Sequence, residues 1–164
     1  MGVFTCADTL VDFIESIYVA FRDRLVSIKH KTTCHVQRLH NIPSLDLKFF
    51  AHCGEFVVQN VANIRELVGS DVNLIHRLTK NHVSESTGWR AYILVTEATV
   101  HCRTGLNLED VHVQMEEYEH LGEIKTFNID LHKRYKEITE SRQIMLNQDA
   151  DTHRPRGLPH ASLP

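Results

Sequence analysis

The sequence predicts an α/β (α+β) protein in which helices flank a sheet, and three stretches predict it. Leu10, Phe13, Ile14, Ile17, Phe21, Leu25 and Ile28 recur at helical spacing, the mark of a long amphipathic helix ending near His30. Leu45, Leu47 and Phe49 alternate with Asp46 and Lys48 as a strand does, and a helix-period segment follows from Asp71 to Asn81. Val111, Val113 and Met115 then alternate with polar residues, and Glu123 to Ile129 returns as a partner strand.

Each element has a local reason. Met1 to Ala7 is a short β-prone run that reads as the end of a strand. Asp8 or Thr9 can cap the first helix, with Asp12 reaching back. Lys31 to Ser44 is polar, aperiodic and closed by Pro43, so it reads as a connecting loop. The strand from Leu45 continues through His52, turns or bulges at Gly54, and resumes as Glu55 to Val58. Glu66 to Gly69 is a lead-in, and Ser70 can cap the helix whose apolar face is Val72, Ile75 and Leu78. His82 to Gly88 reads as a polar loop, Ala91 to Thr96 as a strand, and Glu97 to Arg103 as a short helix broken by Gly105. Leu131 to Leu146 is a charged helix with a thin stripe of Leu131, Tyr135, Ile138 and Ile144 or Met145. From Gln148 the composition is polar with three prolines, the composition of a disordered tail. The expected division is therefore 1–130 as the domain, 131–147 as a helix or connector, and 148–164 as the tail.

Composition narrows the function classes. A chain of 164 residues with 42% hydrophobic and 24% charged residues has the make-up of one ordinary globular domain. A net charge of −3 argues against nucleic acid as a partner. The apolar runs are too short to span a bilayer, and the opening residues lack a charged-then-apolar leader, so the expectation is cytoplasmic with no membrane partner. Cys6, Cys34, Cys53 and Cys102 form no Cys-x-x-Cys pair and are expected as reduced thiols. Twelve histidines include no metal-binding spacing, so no metal ligands are expected in this chain.

The chemistry-bearing stretch is Val68-Gly69-Ser70-Asp71-Val72-Asn73-Leu74-Ile75-His76-Arg77-Leu78. Asn73 and Arg77 stand one helical turn apart, so an amide and a guanidinium project from one face near a helix start that favours anions. The plainer reading of the pair is a solvent-facing helix with incidental polar residues.

Leu45–Leu78 resembles the catalytic core of class III nucleotide cyclases, the adenylate and guanylate cyclases. It is more similar still to a bacterial group of cyclase-related domains of unknown function. The residues that carry the resemblance are Leu47-Lys48-Phe49-Phe50-Ala51-His52-Cys53-Gly54-Glu55-Phe56 and Leu67 to Leu78, where a strand and Gly turn precede a Gly-x-x-Val-Asn-x-x-x-Arg helix. Tyr118-Glu119-His120-Leu121-Gly122-Glu123 extends the likeness to the terminal hairpin, so that it covers about Met1 to Gln143. The resemblance implies a ferredoxin-like architecture with a mainly antiparallel sheet. It makes Asn73 the residue that orients the ribose and Arg77 the residue that stabilises charge on the triphosphate. Glu66, seven residues before the asparagine, falls at a base-contacting position. The two metal-binding aspartates of the family fall before Met1, so the resemblance implies a domain lacking its first strand and helix. Such a domain is expected to be inactive alone. If active, it is a nucleotide cyclase, a phosphorus–oxygen lyase of bacterial signalling, completed as a homo- or heterodimer by a cyclase-like partner that supplies the site for Mg or Mn. The alternative expectation is a noncatalytic regulatory or protein-interaction module derived from the same fold.

Overall fold

The computed structural model describes residues 7–31, 44–102 and 110–152, and the statements below concern these. Helix α1 (Ala7–Lys31) precedes strand β1 (Lys48–Ala51), the hairpin β2 (Val57–Val61) and β3 (Ile64–Val68), and helix α2 (Ser70–Leu78). A short helix α3 (Val83–Thr87), strand β4 (Tyr92–Thr96) and helix α4 (Glu97–Cys102) follow. Strands β5 (His112–Tyr118) and β6 (Gly122–Asp130) and helix α5 (Leu131–Thr152) complete the order.

The main sheet runs β1-β4-β6-β5, with β1 parallel to β4 and the other two pairs antiparallel. The expected flanked sheet is therefore present, as a mixed one. Strand β4 is its centre: Ala91 to Thr96 are buried without a break, which only a strand covered on both faces requires. Ile93 and Val95 face a layer containing Ile14 and Tyr18 of α1 and Leu131 of α5. Tyr92 and Leu94 face Leu74 and Leu78 of α2 and Val83 of α3. Two-residue alternation on one strand thus divides the apolar interior into two layers.

Several expectations need correction. Helix α1 keeps part of the expected stripe and rotates the rest: Ile14 and Leu25 are buried and Leu10 and Phe21 pack on the core as expected, Tyr18 and Val19 join them, and Phe13 and Ile17 are exposed. The inward stripe includes tyrosine because its hydroxyl donates to Asp46 Oδ1 at 2.8 Å, and the same carboxylate meets His132 Nε2 of α5 at 2.7 Å. Desolvation of that hydroxyl, with Asp46 beside it, pushes the Tyr18 pKa upward. Arg134 Nε donates to Glu15 Oε1 at 2.7 Å, so polar ties as well as packing bind α5 to α1.

Glu66 to Val68 belong to strand β3 rather than to a lead-in. His82 to Gly88 contain α3, which ends at Gly88 in the left-handed conformation with its N–H on the Ser84 carbonyl. Helix α2 stops at Leu78, and its N-cap is Gly69, which makes no side-chain capping bond, instead of Ser70. Helix α5 runs on to Thr152, into the region expected to be disordered. The expected strand at Met1 to Ala7, the loop Lys31 to Ser44 and the break at Gly105 lie largely or wholly outside the described residues. Among the described residues no helix is long and apolar enough to cross a membrane.

Candidate functional site at the start of α2

Helix α2 packs its buried stripe, Leu74 and Leu78, against β4 and leaves two flanks. One flank carries Asn73 and Arg77, both exposed. Arg77 Nη1 donates to the Glu119 carbonyl at 3.3 Å, which rests the guanidinium on the turn between β5 and β6. The other flank carries Asp71, Val72, Ile75 and His76, and these line a cavity of about 860 Å³. Its remaining walls come from the end of β1, the residues that follow it, and the hairpin, with Leu10 of α1 and Thr99 of α4. A cavity of this size suits a small organic molecule.

The structure therefore separates the three residues singled out from the sequence. Glu66, on β3, lines the cavity, whereas Asn73 and Arg77 lie outside it on the opposite flank of the helix. The cavity instead centres on two side chains that the sequence did not mark, His52 and Asp71.

Asp71 is fixed by its neighbours. Its Oδ2 accepts the Glu55 backbone N–H at 2.7 Å, and its Oδ1 lies 3.4 Å from His52 Nε2. The backbone N–H first, and the imidazole second, hold its carboxyl below the usual carboxylate range. Gly54 makes the approach possible, because a Cβ at that position would collide with the Asp71 carboxylate. Gly69 allows a second close approach, with a built Cβ lying 3.1 Å from the Glu55 carbonyl oxygen. The two glycines let the chain after β1 lie against the first turn of α2.

His52 is held from behind by a directional chain. Thr99 Oγ1 donates to the Ala51 carbonyl at 3.2 Å, so its hydroxyl proton is committed. Its lone pairs are then free to accept from Thr96 Oγ1, 3.2 Å away. With the Thr96 proton directed there, Thr96 accepts from His52 Nδ1 at 2.8 Å. That sequence makes Nδ1 a donor and leaves Nε2 turned toward the Asp71 carboxylate. The His52 side chain is 8% exposed, and Nε2 has no hydrogen bond of good geometry despite its 3.4 Å contact with Asp71.

Cys53, beside His52 in the cavity wall, is paired with Cys102 at the end of α4, with Cα atoms 6.5 Å apart. This corrects the expectation of reduced thiols for these two cysteines. The neighbouring pairs His52-Cys53 and His101-Cys102 were visible in the sequence, but nothing there brought the ends of β1 and α4 together. Cys6 and Cys34 lie outside the described residues.

Comparison with known proteins places the chain in a family. A curated relative, the "Uncharacterized protein Rv2561/Rv2562" of Mycobacterium tuberculosis (strain ATCC 25618 / H37Rv), is 33% identical over 111 residues. The alignment covers 68% of this chain and 50% of the relative, so the chain spans about half the length of the curated relative it matches. No solved structure matches it. A family model described as "Protein of unknown function (DUF2652)" matches residues 1–87, a stretch that includes β1, the hairpin and all of α2. The match takes in more than half of the chain, which belongs to the DUF2652 family of proteins of unknown function.

Proposed function

We propose that this chain is a nucleotide-cyclase-like domain of ferredoxin-like ancestry, inactive alone, that offers one half of a nucleoside triphosphate site. The observation that carries this reading is the open flank of α2, where Asn73 and Arg77 are exposed together. Apart from the 3.3 Å bond to the Glu119 carbonyl, the guanidinium has donors to spare, and no carboxylate among the described residues lies in ion-pair contact with it. A permanently charged fork of donors suits phosphate oxygens, and Asn73 one turn earlier suits a ribose hydroxyl. Glu66 lies across the helix from this pair, so a base contact through it requires a different arrangement from the one seen.

Among the described residues no group of three or more His, Cys, Asp or Glu side chains is placed to hold a metal ion. Mg²⁺ or Mn²⁺ would enter with the nucleotide only where a cyclase-like partner completes the site, and what this chain supplies is orientation and positive charge.

Thermal unfolding with ATP or GTP and Mn²⁺ tests the reading. Nucleotide at one hundred times its Kd stabilises the fold by about 2.7 kcal/mol, and Arg77→Ala removes the shift. A cooperative transition that neither nucleotide moves would overturn it.

A noncatalytic interaction module is the second reading, and the hairpin favours it. Both of its strands are exposed along their whole length, and Val57, Val61, Ile64 and Val68, which share one face by their pairing, are 68%, 47%, 64% and 43% exposed. Exposed apolar side chains gathered on one face suit a surface that another protein covers. Association that is indifferent to nucleotide and to Arg77→Ala, but is lost in Val57→Asp, would favour this reading in sedimentation velocity.

A further inference from the structure

We infer that Cys53 and Cys102 form a reversible redox site, which a thiol reductant opens and which sets how firmly the chain after β1 is held against the first turn of α2. Neither Asn73 nor Arg77 takes part in it.

The pair joins elements that are distant in sequence. Cys53 stands two residues beyond the end of β1, and Cys102, 49 positions later, is the last residue of α4. Cys102 is exposed, and Cys53 is half-buried in the cavity wall. An external thiolate can therefore approach the bond from solvent at Cys102. Exposed disulfides of this kind are the ones that exchange with thiols, whereas bonds sealed in a core resist reduction.

Cys53 also lies in the middle of the segment that Asp71 holds. On the side of β4 and α4, Thr99 donates to the Ala51 carbonyl at 3.2 Å, and His52 Nδ1 donates to Thr96 at 2.8 Å. On the side of α2, Asp71 takes the Glu55 N–H at 2.7 Å and faces His52 at 3.4 Å. These ties open and close freely, and the disulfide is the covalent one set between them. Cutting it lifts the limit that the closed loop places on open states, so the Glu55–Asp71 bond should break more often.

The step is a two-electron thiol–disulfide exchange. A reductant thiolate attacks Cys102 Sγ, the bond between the two sulfurs breaks, and Cys53 Sγ leaves as a thiolate that takes a proton from water. A second thiolate, on the same or another reductant molecule, then attacks the reductant sulfur and releases Cys102 as a thiolate, which is protonated in turn. The protein gains two thiols and the reductant becomes a disulfide; oxidised reductant reverses both steps.

The test equilibrates the whole chain with mixtures of reduced and oxidised glutathione. Free thiols are trapped with N-ethylmaleimide, and each cysteine is located by peptide mass spectrometry. Cys53 and Cys102 should become labelled together, in one step within the glutathione range. Amide exchange at Glu55 should be about tenfold faster in the reduced chain, with Ile93 and Leu94 in the buried centre of the sheet unchanged. Cys102→Ser, at the exposed end of α4, should show the fast Glu55 exchange at every glutathione ratio. The double variant Cys6→Ser/Cys34→Ser should keep the full response. A pair that stays oxidised in the most reducing mixture would be a fixed structural bond. Loss of the cooperative unfolding transition on reduction would make the bond a condition of folding. Glu55 exchange indifferent to reduction and to Cys102→Ser, or a response lost in Cys6→Ser/Cys34→Ser, would show that this pair does not control the contact. Each of these outcomes would overturn the inference, and none of them bears on nucleotide binding at Arg77.

Discussion

The Asp71 carboxylate occupies the space in which residue 54 would carry a Cβ, so Gly54 and Asp71 fit only as a pair. Through that fit the loop after β1 is pinned to the first turn of α2 by the 2.7 Å bond from Glu55 N–H. Gly54→Ala should therefore destabilise the fold by about 1–3 kcal/mol, the usual cost of overpacking a fixed contact. Combining it with Asp71→Ala should cost less than the sum of the two single changes, because the collision is removed with the carboxylate. Urea denaturation of the four proteins reads this coupling directly. Strict additivity would mean that the two residues do not meet.

His82 and Glu116 give the fold a dependence on pH. The Glu116 side chain is 1% exposed and accepts from His82 N–H at 2.9 Å and from Gln114 Nε2 at 2.7 Å, while His82 Nδ1 approaches it at 3.0 Å. The bond to this carboxylate first, and its charge second, raise the His82 pKa above the ordinary imidazole value. A group whose pKa is raised by folding adds stability that is complete below its unfolded pKa, about 6.5. That stability is lost as pH rises through the higher folded value. The gap in melting temperature between the native chain and His82→Ala should thus be widest below pH 6.5 and shrink towards pH 8. A gap that is constant across this range would show that the imidazole takes no part.

Two tyrosine hydroxyls should respond differently to removal. Tyr92 donates to Asn81 Oδ1 at 2.8 Å, and the same amide oxygen takes the Val83 N–H at 2.9 Å, so the hydroxyl belongs to the joint between α2 and α3. The Tyr118 hydroxyl is buried without a hydrogen-bond partner among the described residues, and burial, with Glu116 nearby, pushes its pKa up to about 12. Tyr92→Phe should cost about 1 kcal/mol, the net worth of an ordinary hydrogen bond. Tyr118→Phe removes an unsatisfied polar atom and should be neutral or stabilising by up to about 1 kcal/mol. Chemical denaturation midpoints at fixed slope separate the two cases. A loss of stability in Tyr118→Phe would mean that its hydroxyl is satisfied in solution.

How far the sequence revealed this fold depended on where periodicity and burial agreed. They agreed in β4, where an apolar run became a strand covered on both faces, and at the start of α5, where Leu131 is buried. They parted in β5: Val113 and Met115 are exposed at 48% and 54%, while Glu116 is buried. The alternation identified the strand but not its inner face, because a buried polar cluster of Glu116, Gln114, Asn128 and Thr126 replaced the usual apolar one. The candidate site was legible only in part for a similar reason. Helical spacing put Asn73 and Arg77 on one flank, and the structure keeps them there. It could not reveal that His52 meets Asp71, since that contact depends on an approach through Gly54 and on threonines some forty residues later.

The hairpin shows a different limit and carries a last prediction. Val61 pairs with Ile64 across Ala62 and Asn63, and these two residues have φ of 49° and 67°. Two left-handed residues in a two-residue loop are what a type I′ turn demands, and the usual signature is Asn-Gly or Asp-Gly. Ala-Asn lacks that signature, so β3 read as a mere lead-in to the helix. An alanine in this conformation crowds its Cβ against the backbone at a cost of about 1 kcal/mol, a penalty that glycine escapes. Ala62→Gly should accordingly stabilise the hairpin, offset in part by the greater freedom of glycine in the unfolded chain, for a net gain of up to about 0.5 kcal/mol. Amide hydrogen exchange at Gln59 and Glu66, a pair that exchanges hydrogen bonds across the ladder two residues from the turn, would show the gain as slower opening. Faster exchange in the variant would mean that residue 62 does not hold a positive φ, and that the register joining β3 to the start of α2 is set by something other than this turn.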